Sequence, residues 1–275
     1  PEMAEKAHAS TGVDISNPLT RERSVMRGDM LPSLLETVAH NLAHGQQSVA
    51  IYELGNVYRP DPGNTLPYQT MKVAGALAGV VPGHWQKKDE DYNFYYIKGI
   101  VQELLMGLNL VGRFERATHE QFHPGRCAQV YVDGAPLGYL GQVHPAIGAS
   151  WKLDGEVWAF ALDFQVLATA TTVGKGFVPP SRYPAVRRDL ALETDLSMEA
   201  DRLVKIMEEV GGELLEAVDC FDVYSGSNLS ANRKSLAFSL SFRHRERTLQ
   251  DKEVQALMDS LVDRLQQVGA HLRGQ

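Results

Sequence analysis

Two side chains that could bind a flat aromatic ligand stand two residues apart in the sequence CFDVY, residues 220–224. In a β-strand this spacing places Asp222 and Tyr224 on one face. A tyrosine ring can stack on a nucleobase, and a carboxylate accepts hydrogen bonds from amino groups on the base edge. The pair therefore indicates a surface for unpaired nucleobases. The alternative, which the pattern leaves open, is a polar sheet face that is merely solvated.

The segment 235–243 predicts the neighbouring strand, and its residues alternate between apolar side chains and small or polar ones. The apolar set is Leu236, Phe238, Leu240 and Phe242, and the small set is Ser235, Ala237, Ser239 and Ser241. Small residues leave room for a flat ligand to approach the backbone, and Ser235 opens the strand. By the same alternation we expect Phe221 and Val223 to join the apolar core face.

Basic residues cluster around this strand, with one acid, Glu246, among them between positions 233 and 247. The basic residues are Arg233, Lys234, Arg243, Arg245 and Arg247. Such a cluster is either a solvated surface or an edge that faces phosphate groups. On the second interpretation, the candidate contacts to an RNA backbone are Arg233, Lys234, Arg243 and Arg245.

The elements that must position these residues follow the order βαββαβ. A strand at 187–194 and an amphipathic helix after it precede the two strands above, and a second helix and a short strand, AHLRG, follow them. This order is typical of the ferredoxin-like fold, in which both helices cover one face of a four-stranded antiparallel sheet. The small polar face is then the open one.

The first part of the chain predicts an α+β arrangement of another kind. Strands follow one another through hairpins, one with Asp133-Gly134 as its turn, and an amphipathic helix runs from about Leu31 to Ala43. A segment rich in Gly, Pro and Thr, TTVGKGFVPPSRYP, separates the two parts. We therefore expect one domain at 1–175 and another at 176–275.

The sequence HEQFH, residues 119–123, matches the zinc-hydrolase pattern H-E-x-x-H. That chemistry requires both histidines on one helix, with the glutamate activating a zinc-bound water. Pro124 and Gly125 follow at once and would end the helix at His123. We therefore expect no zinc site, and the sequence contains no Walker A loop, dinucleotide fingerprint or nucleophile elbow.

The composition of the chain limits the classes of protein to which it can belong. The 275 residues carry a net charge of −7, which argues weakly against general nucleic-acid binding. No apolar run is long enough for a membrane helix. Two isolated cysteines suit a reducing cytosol. The first residue is Pro1 rather than methionine, so we expect a fragment of a longer chain.

Over nearly its whole length, the chain resembles the C-terminal part of the beta subunit of bacterial phenylalanyl-tRNA synthetases. The resemblance is carried by NPLTRERSVMRGDMLPSLLETVAHNL, VAIYELGNVY, FYYIKGIVQELL, FHPGRCAQVYVDGAPLGYLGQVHP, RYPAVRRDLAL, FDVYSG, KSLAFSLSFRHRERTLQDKEV and the terminal LRG. It implies a part of an (αβ)₂ ligase that charges the phenylalanine tRNA in the cytoplasm. ATP and magnesium would serve the whole enzyme, with no cofactor in this fragment and no membrane contact.

The resemblance also implies a role for each domain. Residues 1–175 resemble a class II synthetase catalytic fold that has lost activity and packs against the alpha subunit. AIYELGNVYR is similar to motif 2 of that fold, but no glycine-rich motif 3 ending in arginine follows. Residues 176–275 resemble the ferredoxin-fold anticodon-binding domain, with Asp222, Tyr224 and Ser235 at its anticodon-reading positions.

The sequence departs from the family near its end. Some relatives carry an aromatic residue just before the terminal LR, where this chain has Ala270 or His271. A third stacking contact there is therefore in doubt. The alternative function is a free-standing ferredoxin-like regulatory protein that binds an amino acid, and such a protein would not need the basic stretch 233–247.

Overall fold

The computed structural model describes residues 12–171, 179, 181–226, 229–230 and 232–273. The chain separates into two compact units, residues 1–176 and 177–275. The boundary expected near residue 176 lies outside the described residues. Each unit is an α+β structure with an antiparallel sheet and its own core, so the α+β class expected for both is confirmed.

The first unit is built on a seven-stranded antiparallel sheet with the order β3-β4-β9-β8-β7-β6, and β5 pairs with β4. Its strands are β3 Ser48–Arg59, β4 Tyr68–Val81, β5 Glu90–Asp91, β6 Gly112–Arg116, β7 Phe122–Val132, β8 Ala135–Val143 and β9 Val157–Asp163. Its helices are α1 Leu31–Ala43, α2 Phe94–Gly107, α3 Pro145–Ser150 and α4 Phe164–Ala170. A separate two-stranded sheet pairs β1 Val13–Asp14 with β2 Val25–Met26, and a 3₁₀ turn, Arg21–Arg23, lies between them.

Two cores lie on opposite faces of this sheet, because alternate residues of a strand point to opposite sides. In β9, Ala159 packs with α1 in one core, whereas Trp158 and Phe160 pack with α2 in the other. Asn93 caps α2 by accepting hydrogen bonds from the next backbone N–H groups. The helix expected at 31–43 is confirmed.

The turn expected at Asp133-Gly134 is also confirmed. Both residues have positive φ angles, 50° and 79°, as a two-residue hairpin between β7 and β8 requires. Glycine reaches this conformation without steric cost, and aspartate is one of the few other residues that tolerate it.

The second unit has the predicted βαββαβ order. Its elements are β10 Val186–Asp195, α5 Ala200–Gly211, a 3₁₀ turn Gly212–Leu214, β11 Leu215–Tyr224, β12 Arg233–Phe242, α6 Asp251–Gln267 and β13 His271–Leu272. The sheet order is β11-β12-β10-β13, with every neighbouring pair antiparallel. This is the ferredoxin-like topology, in which the first and third strands occupy the centre.

The alternation predicted for β12 is confirmed by burial. Leu236, Phe238, Leu240 and Phe242 are almost fully buried against α5 and α6. The same prediction is wrong for β11, where Phe221 and Val223 are 56% and 59% exposed. The pairing of β11 with β12 shifts between Cys220 and Asp222, so a bulge removes Phe221 from the alternation. Val223 lies opposite the buried Leu236, but it stays exposed because β11 is the edge strand.

The helices of the described residues are too short or too polar to cross a membrane. None of them combines the length and the apolar composition that a bilayer crossing needs.

Candidate nucleic-acid interface

The uncovered face of the second sheet brings one residue from each of its four strands into a single row. Tyr224 of β11 lies opposite Ser235 of β12, which lies opposite Glu193 of β10, and Glu193 lies opposite His271 of β13. Two of the three predicted base-contacting residues, Tyr224 and Ser235, are therefore direct neighbours. They are 11 positions apart in sequence and are brought together by the strand register alone.

The third predicted residue, Asp222, lies in the adjacent row. It faces Ala237 across the β11–β12 pair, and its side chain is exposed. Ala237 in turn faces Ala191 of β10, so the floor beside the Asp222 carboxylate is made of two methyl groups. A flat ring can approach this floor closely while the carboxylate accepts hydrogen bonds from its edge.

The next row along the sheet is acidic. Ser239 of β12 is flanked by Asp219 of β11 on one side and by Asp189 of β10 on the other, and both aspartates are exposed. Carboxylates repel phosphate but accept hydrogen bonds from exocyclic amino groups of bases. The centre of the face is therefore suited to base edges rather than to the nucleic-acid backbone.

The Tyr224 ring is not freely exposed, although the sequence predicts it as an open stacking surface. It is half-buried, and the Arg273 guanidinium lies over the ring, 5.0 Å from its centroid. Gly226 packs so closely against the ring that a Cβ at that position would collide with it. Ser235, the register partner of Tyr224, is only 3% exposed.

The predicted basic cluster is largely neutralised by acids from other strands. Arg233 Nε lies 2.8 Å from Glu193 Oε1, and Arg243 Nε lies 2.8 Å from Glu216 Oε2. Arg243 also donates to the backbone carbonyl of Tyr183 over 3.0 Å. Both arginines are partly buried and fix neighbouring segments of the sheet, so they are less available to phosphate than the sequence indicates.

A third pair removes another cation from the cluster. Arg247 donates two hydrogen bonds, of 2.6 and 2.7 Å, to the Glu253 carboxylate at the start of α6. These bonds, together with the backbone N–H of Gln250, lower the pKa of Glu253 to about 2. Among the described residues, Lys234 and Arg245 are the members of the cluster without an ion pair.

The terminal strand decides between the two positions considered for a third stacking contact. Ala270 is fully buried in the core of the second unit. His271 is exposed and faces Glu193 on the open side of the sheet. Of the two residues, His271 is the one placed to meet a ligand on that face.

The residues of the HEQFH sequence do not share a helix. His119 lies in a loop against Tyr139, with ring centroids 4.5 Å apart, and β7 begins at Phe122. Burial lowers the pKa of His119, against the opposing effect of Asp29 and Glu120. The helical geometry that a zinc hydrolase requires is therefore not formed.

The first unit has a cleft beside the loop that carries His119, and its charged groups include Lys72 and Asp163. Lys72 Nζ lies 3.0 Å from Asp163 Oδ2, so the two charges neutralise each other. Burial alone would raise the pKa of Asp163, but Lys72 and the backbone N–H groups of Val166 and Gln165 keep it below its usual value.

Two family models match successive parts of the chain. The model described as the ferredoxin-fold anticodon binding domain covers residues 181–273, which include the whole four-stranded sheet. The model described as the phenylalanyl tRNA synthetase beta chain CLM domain covers residues 2–164, more than half of the chain. The chain belongs to the phenylalanyl-tRNA synthetase beta chain family.

Curated relatives agree with this assignment. Phenylalanine–tRNA ligase beta subunits are 38% identical over 94% of this chain in Symbiobacterium thermophilum, 38% over 86% in Bacillus subtilis, and 37% over 95% in Halalkalibacterium halodurans. The matched region is 29%, 30% and 33% of the respective relatives. The chain thus spans about a third of the length of these beta subunits.

Within this beta chain family member, sequence reasoning missed two residues of the open face, Glu193 and Arg273. The alternation of β10 places Glu193 on the open face, but only the register of β10 with β12 places it beside Ser235. Arg273 lies 49 positions from Tyr224 and meets it only after all four strands have paired. The terminal LRG was the one sequence signal that could have directed attention to Arg273.

Proposed function

We propose that this chain is the C-terminal part of a phenylalanine–tRNA ligase beta subunit and that its second unit reads the anticodon of the phenylalanine tRNA. The observation that carries the proposal is the juxtaposition of Tyr224, Ser235 and Asp222 on the uncovered face of a sheet that matches an anticodon-binding domain. The role proposed for each of the three residues rests on the chemistry of its side chain and on its position in adjacent rows of the uncovered sheet face.

Each side chain has a distinct task in this proposal. Tyr224 stacks on an unpaired base, and Asp222 accepts hydrogen bonds from the base edge, which distinguishes bases with amino groups from those without them. Ser235 supplies a small hydroxyl beneath the ring. Lys234 and Arg245 attract the RNA backbone, and because the other cations of the 233–247 cluster are paired with acids, this cluster adds only a small sequence-independent affinity.

The first unit acts as a non-catalytic scaffold in this proposal. The strand β9 and the helix α4 that follows it have the sequence VWAFALDFQVLATA, which contains no arginine that could bind a nucleotide phosphate. The Lys72–Asp163 pair in the cleft is already satisfied internally. ATP and magnesium would therefore be used by other parts of the enzyme.

An apolar strip on the edge strand supports contact between this unit and the alpha subunit. Tyr52 and Leu54 are 80% and 52% exposed, and Leu54 faces Val73, which belongs to the rim of the core under α2. The strip thus extends a core face of the sheet onto its edge strand. No described residue covers it there. Such faces are typical of permanent subunit interfaces. Assembly into an (αβ)₂ enzyme is part of the proposal.

The cytoplasm is the compartment that we propose for this activity. Cys127 and Cys220 are both free, and burial raises the pKa of the Cys127 thiol to about 11, so it stays protonated. Unpaired thiols of this kind suit a reducing compartment.

The anticodon proposal is tested by comparing two RNA stem-loops. The full 275-residue chain is titrated, by fluorescence anisotropy, with a loop carrying the phenylalanine anticodon and with a loop carrying its scrambled form. We expect tighter binding of the cognate loop, because Asp222 and Tyr224 contact bases rather than phosphate. Equal dissociation constants at every salt concentration would show that the unit grips the backbone only.

The subunit proposal predicts that Leu54→Asp prevents assembly with the alpha subunit. An aspartate buried in an apolar interface would be left without a partner, which is strongly unfavourable. Co-purification of the co-expressed subunits measures the effect, and the exposed site should leave the fold intact. The matched control is Leu19→Asp, because Leu19 is an exposed leucine that lies outside the strip. Normal assembly of Leu54→Asp would show that the strip does not face the alpha subunit.

A further inference from the structure

The cleft in the first unit lies on the part of the sheet that helix α1 leaves uncovered. Its floor is a row across three strands, in which Ala161 of β9 stands opposite Tyr139 of β8, and Tyr139 stands opposite Gln129 of β7. The segment 28–30, before α1, and the loop before β7, which contributes His119, form its walls. All of its lining therefore belongs to the first unit.

The size of the cleft limits its occupant to a small molecule. Its volume is about 270 Å³, just below the range of about 300–1,000 Å³ that is typical of pockets for drug-sized ligands. Such a space is too small to enclose a nucleoside triphosphate, but it has room for a single amino acid or a metabolite of that size. The apolar side chains of Val57, Phe122 and Leu137 share the lining with charged ones, so the cleft suits a ligand that has both an apolar part and charged groups.

Two cations in the lining have hydrogen-bond donors that no described residue uses. Lys72 Nζ carries three N–H donors and gives one to Asp163 Oδ2 over 3.0 Å. Arg59 is exposed at the end of β3, and its guanidinium makes no ion pair or hydrogen bond within the described ranges. Both cations belong to the paired strands β3 and β4, so this side of the cleft is suited to a carboxylate.

A carboxylate with an unused oxygen lies close to these donors. Asp29 Oδ1 accepts a hydrogen bond from the Leu31 N–H over 2.7 Å, and Oδ2 has no partner among the residues that the structure describes. The Tyr58 N–H donates to the carbonyl of Arg27 over 2.8 Å, which brings the segment that contains Asp29 alongside the end of β3. The acceptor of Asp29 and the donors of Arg59 are thus carried by neighbouring stretches of backbone.

The rings of His119 and Tyr139 supply an uncharged wall. Their centroids are 4.5 Å apart, and His119 Nδ1 accepts a hydrogen bond from the Gln121 N–H over 3.3 Å. Burial lowers the pKa of His119, so its imidazole is neutral at neutral pH. An apolar side chain can therefore pack on this wall without removing water from a charged group.

We propose that the cleft binds a free α-amino acid with an apolar side chain. The carboxylate of the ligand accepts hydrogen bonds from Arg59 and Lys72. Its ammonium group donates to Asp29 Oδ2, and its side chain packs against Tyr139. A phosphate ester would instead bring two negative charges close to the carboxylates of Asp29 and Asp163, which is unfavourable. The inference goes beyond the anticodon proposal and does not depend on it.

The test titrates the full 275-residue chain with L-leucine and, separately, with L-phenylalanine, and follows the methyl signals of Ala161 and Leu137 by NMR. We expect at least one of the two to saturate a single site with a dissociation constant of about 1 mM, which is ordinary for so small a ligand. Analogues without the amino group are 4-methylpentanoate and 3-phenylpropanoate, and analogues without the carboxylate are 3-methylbutylamine and 2-phenylethylamine. Each analogue should bind at least about 10-fold more weakly than its parent, because one charged hydrogen bond is lost.

Two substitutions test the two charged contacts separately. Arg59→Ala should weaken binding of the amino acid about 10-fold and leave binding of the amine analogues unchanged, because these have no carboxylate. Asp29→Asn should weaken it by a similar factor and leave binding of the acid analogues unchanged, and its amide oxygen can still accept from the Leu31 N–H. The matched control is Arg116→Ala, which removes an exposed arginine of β6 outside the lining and should bind like the wild type.

Three results would overturn the proposal. Neither amino acid may fail to saturate a site by about 20 mM, since weaker binding would not be specific. Analogues that bind as tightly as the amino acids would mean that the cleft recognises apolar surface alone. Saturable binding that leaves the signals of Ala161 and Leu137 unmoved would place the ligand elsewhere. These three results come from the wild type, so a variant that fails to fold does not weaken the test.

Discussion

Tyr224→Ala is expected to weaken binding of the phenylalanine anticodon stem-loop about 5- to 150-fold, which corresponds to about 1–3 kcal/mol for one stacked base. The ring is half-buried, and its described contacts are with Arg273 and Gly226 at the surface. Its loss should therefore change the free energy of unfolding much less than the loss of a core residue. Anisotropy titration and urea denaturation of the same variant measure both effects.

Tyr224→Phe is the matched control, because it keeps the stacking ring and removes only the hydroxyl. It should bind the stem-loop nearly as well as the wild type. A Tyr224→Ala variant that binds normally would remove the ring from the proposed site. A variant that unfolds would instead show that Tyr224 supports the sheet, and the Tyr224→Phe titration would then decide whether the hydroxyl contributes to binding.

Phe238→Ala is expected to lower the free energy of unfolding of the second unit by about 3–5 kcal/mol, since it removes a large buried aromatic side chain. Phe238 is fully buried at the centre of β12, in the core formed with α5 and α6. Small domains are stable by only about 5–15 kcal/mol, so much of the margin would be lost. Urea denaturation, followed by circular dichroism, measures the change.

Ser239→Ala is the control for that prediction, because Ser239 is the next residue of β12 and points to the open face. It should change the free energy of unfolding by no more than about 0.5 kcal/mol. Similar losses for Phe238→Ala and Ser239→Ala would contradict the assignment of the two faces. Every function proposed for the uncovered side of the sheet depends on that assignment.

The fold of the second unit could be predicted because its signals are local. The alternation in β12 needs no knowledge of distant residues, and the apolar faces of α5 and α6 repeat with the helical period. The edge strand shows the limit of this reasoning. Phe221 and Val223 alternate correctly in sequence, but a bulge breaks the register at residue 221, and the side chains at this edge stay exposed.

The candidate site could be predicted only in part, because its neighbours come from distant segments. Asp222 and Tyr224 could be identified as neighbours on one face from the sequence of a single strand. Their role in base recognition stays a prediction. The ion pairs were not evident, since Glu193 lies 40 residues from Arg233. A count of cations therefore overstated the basic character of the surface. The contact between the Arg273 guanidinium and the Tyr224 ring depends on the register of all four strands, so it could not be predicted from the sequence either.

The most direct test of the central claim is an NMR titration of the isotope-labelled 275-residue chain with the cognate and the scrambled anticodon stem-loops. The account predicts chemical-shift changes for the cognate loop alone, confined to Asp222, Tyr224, Ser235 and their strand neighbours. Equal changes with both loops, centred on residues 233–247, would contradict it. The second unit would then hold phosphate, and recognition of the anticodon would have to reside elsewhere.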